Sequence, residues 1–251
     1  MAIADHAPEQ PALPPETLPR DLLCEVCGYG LFGLSSENTA AVCPECGTPI
    51  VESIPTHRVG PPWQNRLSFA NWFATAWAIA RRPGETYRTM RLDGPATPAR
   101  LFLLSIALIV GIGWGAFSLL AIGYHPLGAW LAGMAAAKVV LVMTYIETLG
   151  VTFFSGRRGW RVPFRLAERV TCYASVGWVI AAAVLAPLVG LYDAGLLREG
   201  VIRIVGHWDP DYRWILTAVG FGAAVLFFET LVWTGVRKVR FGNRQTPPPI
   251  A

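Results

Sequence analysis

The sequence predicts an all-α integral membrane protein, with a bundle of about four transmembrane helices, an interfacial amphipathic helix and a small amino-terminal four-cysteine ribbon. Two observations lead to this fold class. The 251-residue chain is 53% hydrophobic and only 15% charged, whereas soluble domains carry about 25% charged residues. Near the amino terminus, four cysteines form two C-x2-C pairs. A membrane domain and a small metal-binding module account for these two features separately.

Four apolar stretches are long enough to cross about 30 Å of hydrocarbon, which takes roughly 20 helical residues. Helices are expected because an open strand would leave its backbone amides unpaired in lipid. The first and third stretches contain no charged residue, whereas the second contains Lys138 and Glu147 and the fourth contains Glu229. The predicted transmembrane helices are residues 101–123, 129–154, 170–192 and 214–236.

An amphipathic helix is predicted before the first transmembrane helix, at residues 67–82. Polar residues recur there every three or four positions, which is the period of a helix with one polar face; these are Gln64, Ser68, Asn71, Thr75 and Arg82. The opposite face carries aromatic and aliphatic residues such as Trp72, Phe73 and Trp77. A helix of this length fits the membrane interface, and a tilted fifth transmembrane helix is the alternative.

The loops predict the orientation of the bundle, because Lys and Arg accumulate in short cytoplasmic loops. Basic residues are dense before the first span (81–100), between the second and third (157–169) and after the fourth (237–244). The other two loops lack such an excess. No apolar signal stretch precedes the ribbon. Both termini and the ribbon are therefore expected in the cytoplasm, in a bacterial cytoplasmic membrane.

The cysteines Cys24, Cys27, Cys43 and Cys46 have the C-x2-C-x15-C-x2-C spacing of a zinc site. Each pair is followed by glycine, and such turns direct two sulfurs at one point. Four thiolates suit tetrahedral Zn²⁺ and leave no open position for catalysis, so the ion is expected to be structural. Iron in the same site and disulfides in an oxidising compartment are the alternatives. The acidic ribbon does not favour nucleic acid, and a protein partner is expected instead.

Glu147 and Glu229 each begin an E-T-L sequence and lie about seven residues before the predicted cytoplasmic end of their span. Ionisable groups inside a membrane are costly and often functional. They form a possible intramembrane polar site for a cation, a proton or a lipid headgroup. The alternative is that each carboxylate is satisfied locally by a neighbouring helix or by Arg157 and Arg158.

No familiar catalytic or nucleotide-binding motif occurs in the sequence, so the chain is not expected to be an enzyme. A Gly-x-x-x-Gly at Gly111 and Gly115 is compatible with close packing inside the chain or with a homo-oligomer.

Two segments carry a resemblance to a known family. "FATAWAIARRPGETYRTM" and "LAERVTCYASVGWVIAAAVLAPLVG" resemble the membrane-proximal and later helices of the Yip (Ypt/Rab-interacting) multi-pass proteins. The ribbon, residues 24–49, looks like zinc ribbons at the amino termini of bacterial membrane proteins. The resemblance implies a helical membrane domain with a cytoplasmic amino terminus over residues 67–242. It implies no catalytic residues.

The predicted organisation is a disordered Pro-rich start (1–20), the zinc ribbon (21–54), a linker (55–66), the membrane domain (67–242) and a tail (243–251). We expect a non-enzymatic scaffold or membrane-organising protein whose ribbon contacts a cytoplasmic protein partner. The alternative is a small transporter, or a lipid- or ion-binding bundle, that uses Glu147 and Glu229.

Overall fold

The computed structural model describes residues 22–32, 34, 41–55, 58–120, 123–183 and 212–243, with side chains from residue 218 in the last segment. These residues form a short 3-10 turn (Ile50–Ser53) in the ribbon and seven α-helices. A helical segment, 176–183, follows Ser175. The helices are α1 (Pro62–Asn65), α2 (Phe69–Arg81), α3 (Pro83–Thr89), α4 (Thr97–Leu120), α5 (Pro126–Arg157), α6 (Phe164–Ala174) and α7 (Tyr212–Val239).

Three helices in the described part of the chain are long and apolar enough to cross a membrane: α4, α5 and residues Ala218–Val239 of α7. Long apolar helices are confirmed in three of the predicted regions, 101–123, 129–154 and 214–236, with bounds that differ from the predicted ones by two to four residues. Of the predicted span 170–192, residues 184–192 lie outside the described residues. Its described part is helical but begins earlier, at Phe164, because the charged side chains there have partners in the protein.

Two charged side chains of α6 contact the segment that leads into α4 and the first turn of α4. Arg169 is buried and donates hydrogen bonds to the carbonyl oxygens of Asp93 (3.1 Å) and Gly94 (2.8 Å). Glu168 accepts two hydrogen bonds from the Arg100 guanidinium, at 2.7 and 3.1 Å. A paired charge can lie against a helical bundle at much lower cost than an isolated one. The first turns of α6 therefore belong to the bundle.

The arginine-rich segments meet at one end of the bundle. The Arg161 amide donates to the carbonyl oxygen of Arg240 at 2.7 Å, which connects the loop after α5 with the end of α7. At the same end the Trp160 and Trp233 rings lie 5.7 Å apart. One end of the bundle thus contains four helix termini: the start of α4, the end of α5, the start of α6 and the end of α7. We call it the arginine-rich end.

Helices α4 and α5 cross closely because small residues face each other. A Cβ atom on Gly111 would lie 3.0 Å from the Gly133 carbonyl oxygen and 3.1 Å from the Ala137 Cβ. One on Gly115 would lie 3.1 Å from the Ala129 carbonyl oxygen. Close backbone approach of this kind drives helix association in membranes, where lipid is as apolar as leucine. The Gly-x-x-x-Gly sequence therefore serves packing within the chain.

The substitution Gly111→Val should destabilise the protein by about 1–3 kcal/mol, the usual cost of overpacking, because the new side chain meets backbone. Gly113→Val is the matched control on the same helix, since nothing lies within 4 Å of a Cβ there. Thermal unfolding of both variants in detergent measures the difference. Equal transitions for the two variants would contradict this α4–α5 contact.

The predicted amphipathic helix is α2, which begins after Ser68, whose Oγ accepts a hydrogen bond from the Asn71 amide at 3.3 Å. Its 13 residues extend about 20 Å, less than the hydrocarbon thickness. The prediction that Thr75 belongs to an exposed polar face is wrong. Thr75 is buried, and its hydroxyl accepts a hydrogen bond from the Trp63 amide at 2.9 Å. Exposed Phe69, Phe73 and Trp77 form an apolar outer face instead.

The region predicted as a linker, 55–66, contains structure in its described residues. Helix α1 lies here, and the Trp63 indole donates to the Pro98 carbonyl oxygen at 2.7 Å. Arg58 is buried. The segment has too little apolar periodicity to predict these contacts, which depend on distant residues. It connects the ribbon to the helices through direct contacts on both sides.

Candidate metal centre and its contacts with the bundle

The ribbon consists of two turns with the same backbone pattern. In the first, the Gly28 amide donates to the Cys24 carbonyl oxygen (2.8 Å) and the Cys24 amide to that of Tyr29 (2.8 Å). In the second, Gly47 donates to Cys43 (2.9 Å) and Cys43 to Thr48 (2.8 Å). Single antiparallel bridges, Leu23 with Gly30 and Val42 with Pro49, extend each turn.

Glycine is required at the end of each turn. Gly28 and Gly47 have φ angles of 83° and 71°, in the left-handed region that other residues adopt only at a cost. Gly28 is further constrained, because a Cβ atom there would lie 2.8 Å from the Phe241 ring. This glycine therefore serves both the turn and the contact with the chain after α7.

The four sulfurs of Cys24, Cys27, Cys43 and Cys46 all lie within 4.8 Å of one another. The Cys24–Cys46 and Cys27–Cys43 sulfurs are 3.5 Å apart, too far for disulfide bonds. Four thiolates around one tetrahedral ion at the Zn–S distance would be about 3.8 Å apart. The predicted clustering of the four cysteines is confirmed, and together they could hold one metal ion.

The electrostatics of the sulfurs match a cation site. Hydrogen bonding with the Thr48 hydroxyl and backbone amide lowers the pKa of the Cys46 thiol to about 6, which favours the thiolate. Desolvation, together with the neighbouring thiols, raises the pKa of Cys27 to about 12. The negative charge of one thiolate makes it harder to ionise the neighbouring thiols. A bound cation removes that opposition and allows all four to ionise.

Cys43→Ser should abolish binding of one metal ion per chain, since it removes a buried ligand from a four-ligand site. Cys172→Ala is the matched control, because that buried cysteine belongs to α6, away from the cluster. Elemental analysis of the purified protein measures metal per chain. Full metal content in Cys43→Ser, or loss in Cys172→Ala, would contradict the four-cysteine site.

A buried ion pair connects the ribbon to the bundle. Glu25 lies between the first two cysteines, and its Oε2 accepts a hydrogen bond from the Arg58 Nη2. Arg58 also donates to the carbonyl oxygens of Tyr87 (3.3 Å) and Met90 (3.1 Å) at the end of α3. Burial lowers the pKa of the Arg58 guanidinium to about 10, so it remains charged at neutral pH.

The chain after α7 makes a second connection. The Asn243 side chain accepts from the Leu23 amide at 2.9 Å and donates to the carbonyl oxygens of Leu23 (2.7 Å) and Ser53 (2.9 Å). The Arg240 guanidinium donates to the Val26 carbonyl oxygen. One asparagine thus satisfies three backbone groups of the ribbon. The ribbon packs directly on the arginine-rich end of the bundle.

Arg58→Met should destabilise the protein by about 3–5 kcal/mol, because it leaves Glu25 buried and unpaired. Arg82→Met is the matched control: its ion pair with Glu85 is 3.5 Å long and exposed, and such pairs contribute about 1 kcal/mol or less. Thermal unfolding with metal bound measures both.

Adding Glu25→Gln to Arg58→Met should recover part of the loss, since the buried charge disappears. Similar effects of Arg58→Met and Arg82→Met, or no recovery in the double variant, would contradict the importance of the buried pair.

The two intramembrane glutamates are brought together. The carboxyl groups of Glu147 on α5 and Glu229 on α7 are close enough to interact electrostatically, and both side chains are half-buried. Arg157 and Arg158, the predicted local partners, instead lie over the rings of Phe153 and Trp233. Two carboxylates placed close together would repel each other, so the pair is suited to hold a bound cation between them.

Sequence reasoning missed the residues that fix the ribbon to the bundle, notably Arg58, Tyr87, Arg240 and Asn243. Some signal was present: Glu25 inside a Cys-x-x-Cys turn is an acid at a crowded position, and Asn243 follows the last basic cluster. Neither pattern identifies a partner more than 30 residues away. Comparison with protein-family models, curated proteins and solved structures finds no match.

Proposed function

We propose that this protein is a non-enzymatic membrane scaffold whose ribbon, held by a structural Zn²⁺ ion, presents a fixed surface to a protein partner at the cytoplasmic side. The observation that carries the proposal is the packing of the ribbon on the bundle through Glu25, Arg58 and Asn243. A ribbon on a flexible tether needs no such contacts. A ribbon fixed to the bundle keeps a constant orientation to the bilayer.

Zinc is the ion that this donor set favours. Four thiolates in a tetrahedral arrangement suit Zn²⁺, which has no geometric preference of its own and no redox chemistry. The site is closed, because four protein ligands leave no position for water or substrate. Zinc here stabilises the fold of a segment that is too short for its own core. The same closed coordination supports a non-enzymatic role.

The ribbon carries exposed apolar side chains that suit a partner. Tyr29 and Val42 are 40% and 51% exposed, although each adjoins a metal-binding turn. Aromatic residues are enriched in the cores of protein interfaces, and a tyrosine loses little side-chain entropy on binding. The ribbon, residues 21–54, contains no Lys or Arg, which supports a protein rather than a nucleic acid as the partner.

The proposed orientation of the protein in the membrane depends on the arginines. Three arginine-rich segments lie at the same end as the ribbon, and such segments are retained in the cytoplasm. The outer face of α2, with Phe69, Phe73 and Trp77, suits the membrane interface beside that end. Both termini would then lie in the cytoplasm, and the similarity to Yip proteins stays a prediction.

A photoreactive amino acid at position 29 of the full-length protein tests the partner surface in cells. We expect one crosslinked protein of defined mass, which is lost when Val42→Ser is added and when Cys43→Ser prevents metal binding. A probe at exposed Glu45, on the same ribbon, is the matched control. Capture of the same protein from position 45, undiminished by Val42→Ser, would contradict a specific surface.

A second candidate function is favoured by the contact between Glu147 and Glu229. The pair lies about 15 Å of helix rise before the ends of α5 and α7, where shared protons or cations occur in transporters. A bundle that binds a proton or cation at this pair is the alternative to the scaffold.

Proteoliposomes that contain the Glu147→Gln/Glu229→Gln protein separate the two functions. The transporter requires a proton or cation flux in the unsubstituted protein that the double variant lacks, whereas exposed Glu85→Gln retains it. The scaffold predicts no flux in any of the three proteins. It also predicts that position 29 crosslinks the same partner in the double variant as in the unsubstituted protein.

A further inference from the structure

A cleft of about 360 Å³ lies between the ribbon and the arginine-rich end of α7. Ribbon residues form one wall, Arg88 of α3 contributes at the side, and the last two turns of α7 form the other wall. The volume falls in the usual range of small-ligand sites. Its lining includes Glu25, Val26, Thr48, Glu52, Arg88, Trp233, Arg237, Lys238 and Arg240.

Positive charge in the cleft exceeds negative charge. Four basic residues and two glutamates line it, but both glutamates already have partners. Glu25 pairs with Arg58, which is outside the lining, and Glu52 pairs with Arg88 at 3.5 Å. Within the described residues, Arg237 and Lys238 form no ion pair. The α7 wall of the cleft therefore carries basic charge that no ion pair among the described residues neutralises.

Arg240 adds an unused hydrogen-bond donor. Its guanidinium donates one hydrogen bond, to the Val26 carbonyl oxygen, and lies over the Phe241 ring at 5.1 Å. Its Nε is buried without an acceptor. The rest of the guanidinium lines the cleft, and guanidinium groups suit phosphate oxygens in particular.

The cleft opens at the depth of lipid headgroups. Arg237 and Lys238 are in the last turn of α7, at the end of its apolar stretch, Ala218–Val239. Trp233, one turn earlier, is 46% exposed, with the Arg158 guanidinium 5.0 Å from its ring. Exposed tryptophan and arginine at a helix end mark the membrane–water interface. A headgroup of the adjacent leaflet can reach the cleft while its chains remain in the bilayer.

We propose that this cleft binds the phosphate group of an anionic membrane lipid. Arg237, Lys238 and Arg240 supply the positive charge. Basic pockets at the cytoplasmic ends of transmembrane helices suit such headgroups. The bound lipid contacts the ribbon and α7 at once, so it strengthens the junction between the metal-binding module and the bundle. The site requires neither the protein partner nor the glutamate pair.

Native mass spectrometry of the full-length, metal-loaded protein in detergent tests the site with short-chain phosphatidylglycerol. We expect one tightly bound molecule per chain, and much weaker binding of short-chain phosphatidylcholine, which has no net charge. Arg237→Gln/Lys238→Gln should weaken phosphatidylglycerol binding by about 25-fold, from roughly fivefold per basic residue. Metal content of this variant confirms that the ribbon is intact.

Arg157→Gln/Arg165→Gln is the matched control, because it removes two exposed arginines at the same end but outside the cleft lining. Equal losses in the two double variants would overturn the proposal, as would equal binding of phosphatidylglycerol and phosphatidylcholine. Inorganic phosphate is the third ligand. Tight phosphate binding that Arg237→Gln/Lys238→Gln abolishes, without preference for the lipid, would overturn a lipid ligand in favour of a soluble anion.

Discussion

The buried ion pair between Glu25 and Arg58 is the interaction on which the arrangement of the whole chain depends. Glu25 is fixed by the first metal-binding turn, and Arg58 is fixed by two carbonyl oxygens at the end of α3. Because an unpaired buried charge is strongly unfavourable, the ribbon and the helices must keep their relative position. The contacts of Asn243 extend the same junction to the end of α7. Metal binding by the four cysteines would therefore be coupled to helix packing.

The bundle itself is held together by close backbone contact and by a few buried polar groups. Gly111 and Gly133 allow α4 and α5 to approach closely. The hydroxyl groups of Thr148 on α5 and Thr171 on α6 share a hydrogen bond of 2.7 Å. In an apolar environment each such group needs a partner inside the protein. The arginines near the helix ends serve a related purpose, since Arg169 and Arg100 join α6 to the start of α4.

The features that could be predicted from the sequence were the local ones. Apolar runs of sufficient length predict α4, α5 and α7, and the cysteine spacing predicts a cluster whose geometry depends on two short turns. Interactions between distant segments could not be predicted this way. The Glu25–Arg58 pair and the contact of Phe241 with Gly28 depend on how the chain returns to the ribbon. Thr75 shows the same limit, because helical periodicity identifies a polar stripe but not which stripe a neighbouring helix covers.

The central claim is that the metal-binding ribbon and the arginine-rich end of the bundle form one coupled unit. Hydrogen exchange measured with and without a metal chelator tests it most directly. The account predicts that metal removal increases exchange in the ribbon and also at the ends of α3 and α7, around Tyr87, Met90 and residues 239–243. The middle of α4 and α5 should be unaffected. Increased exchange confined to residues 22–54 would contradict the claim, because it would show that the ribbon unfolds independently of the helices.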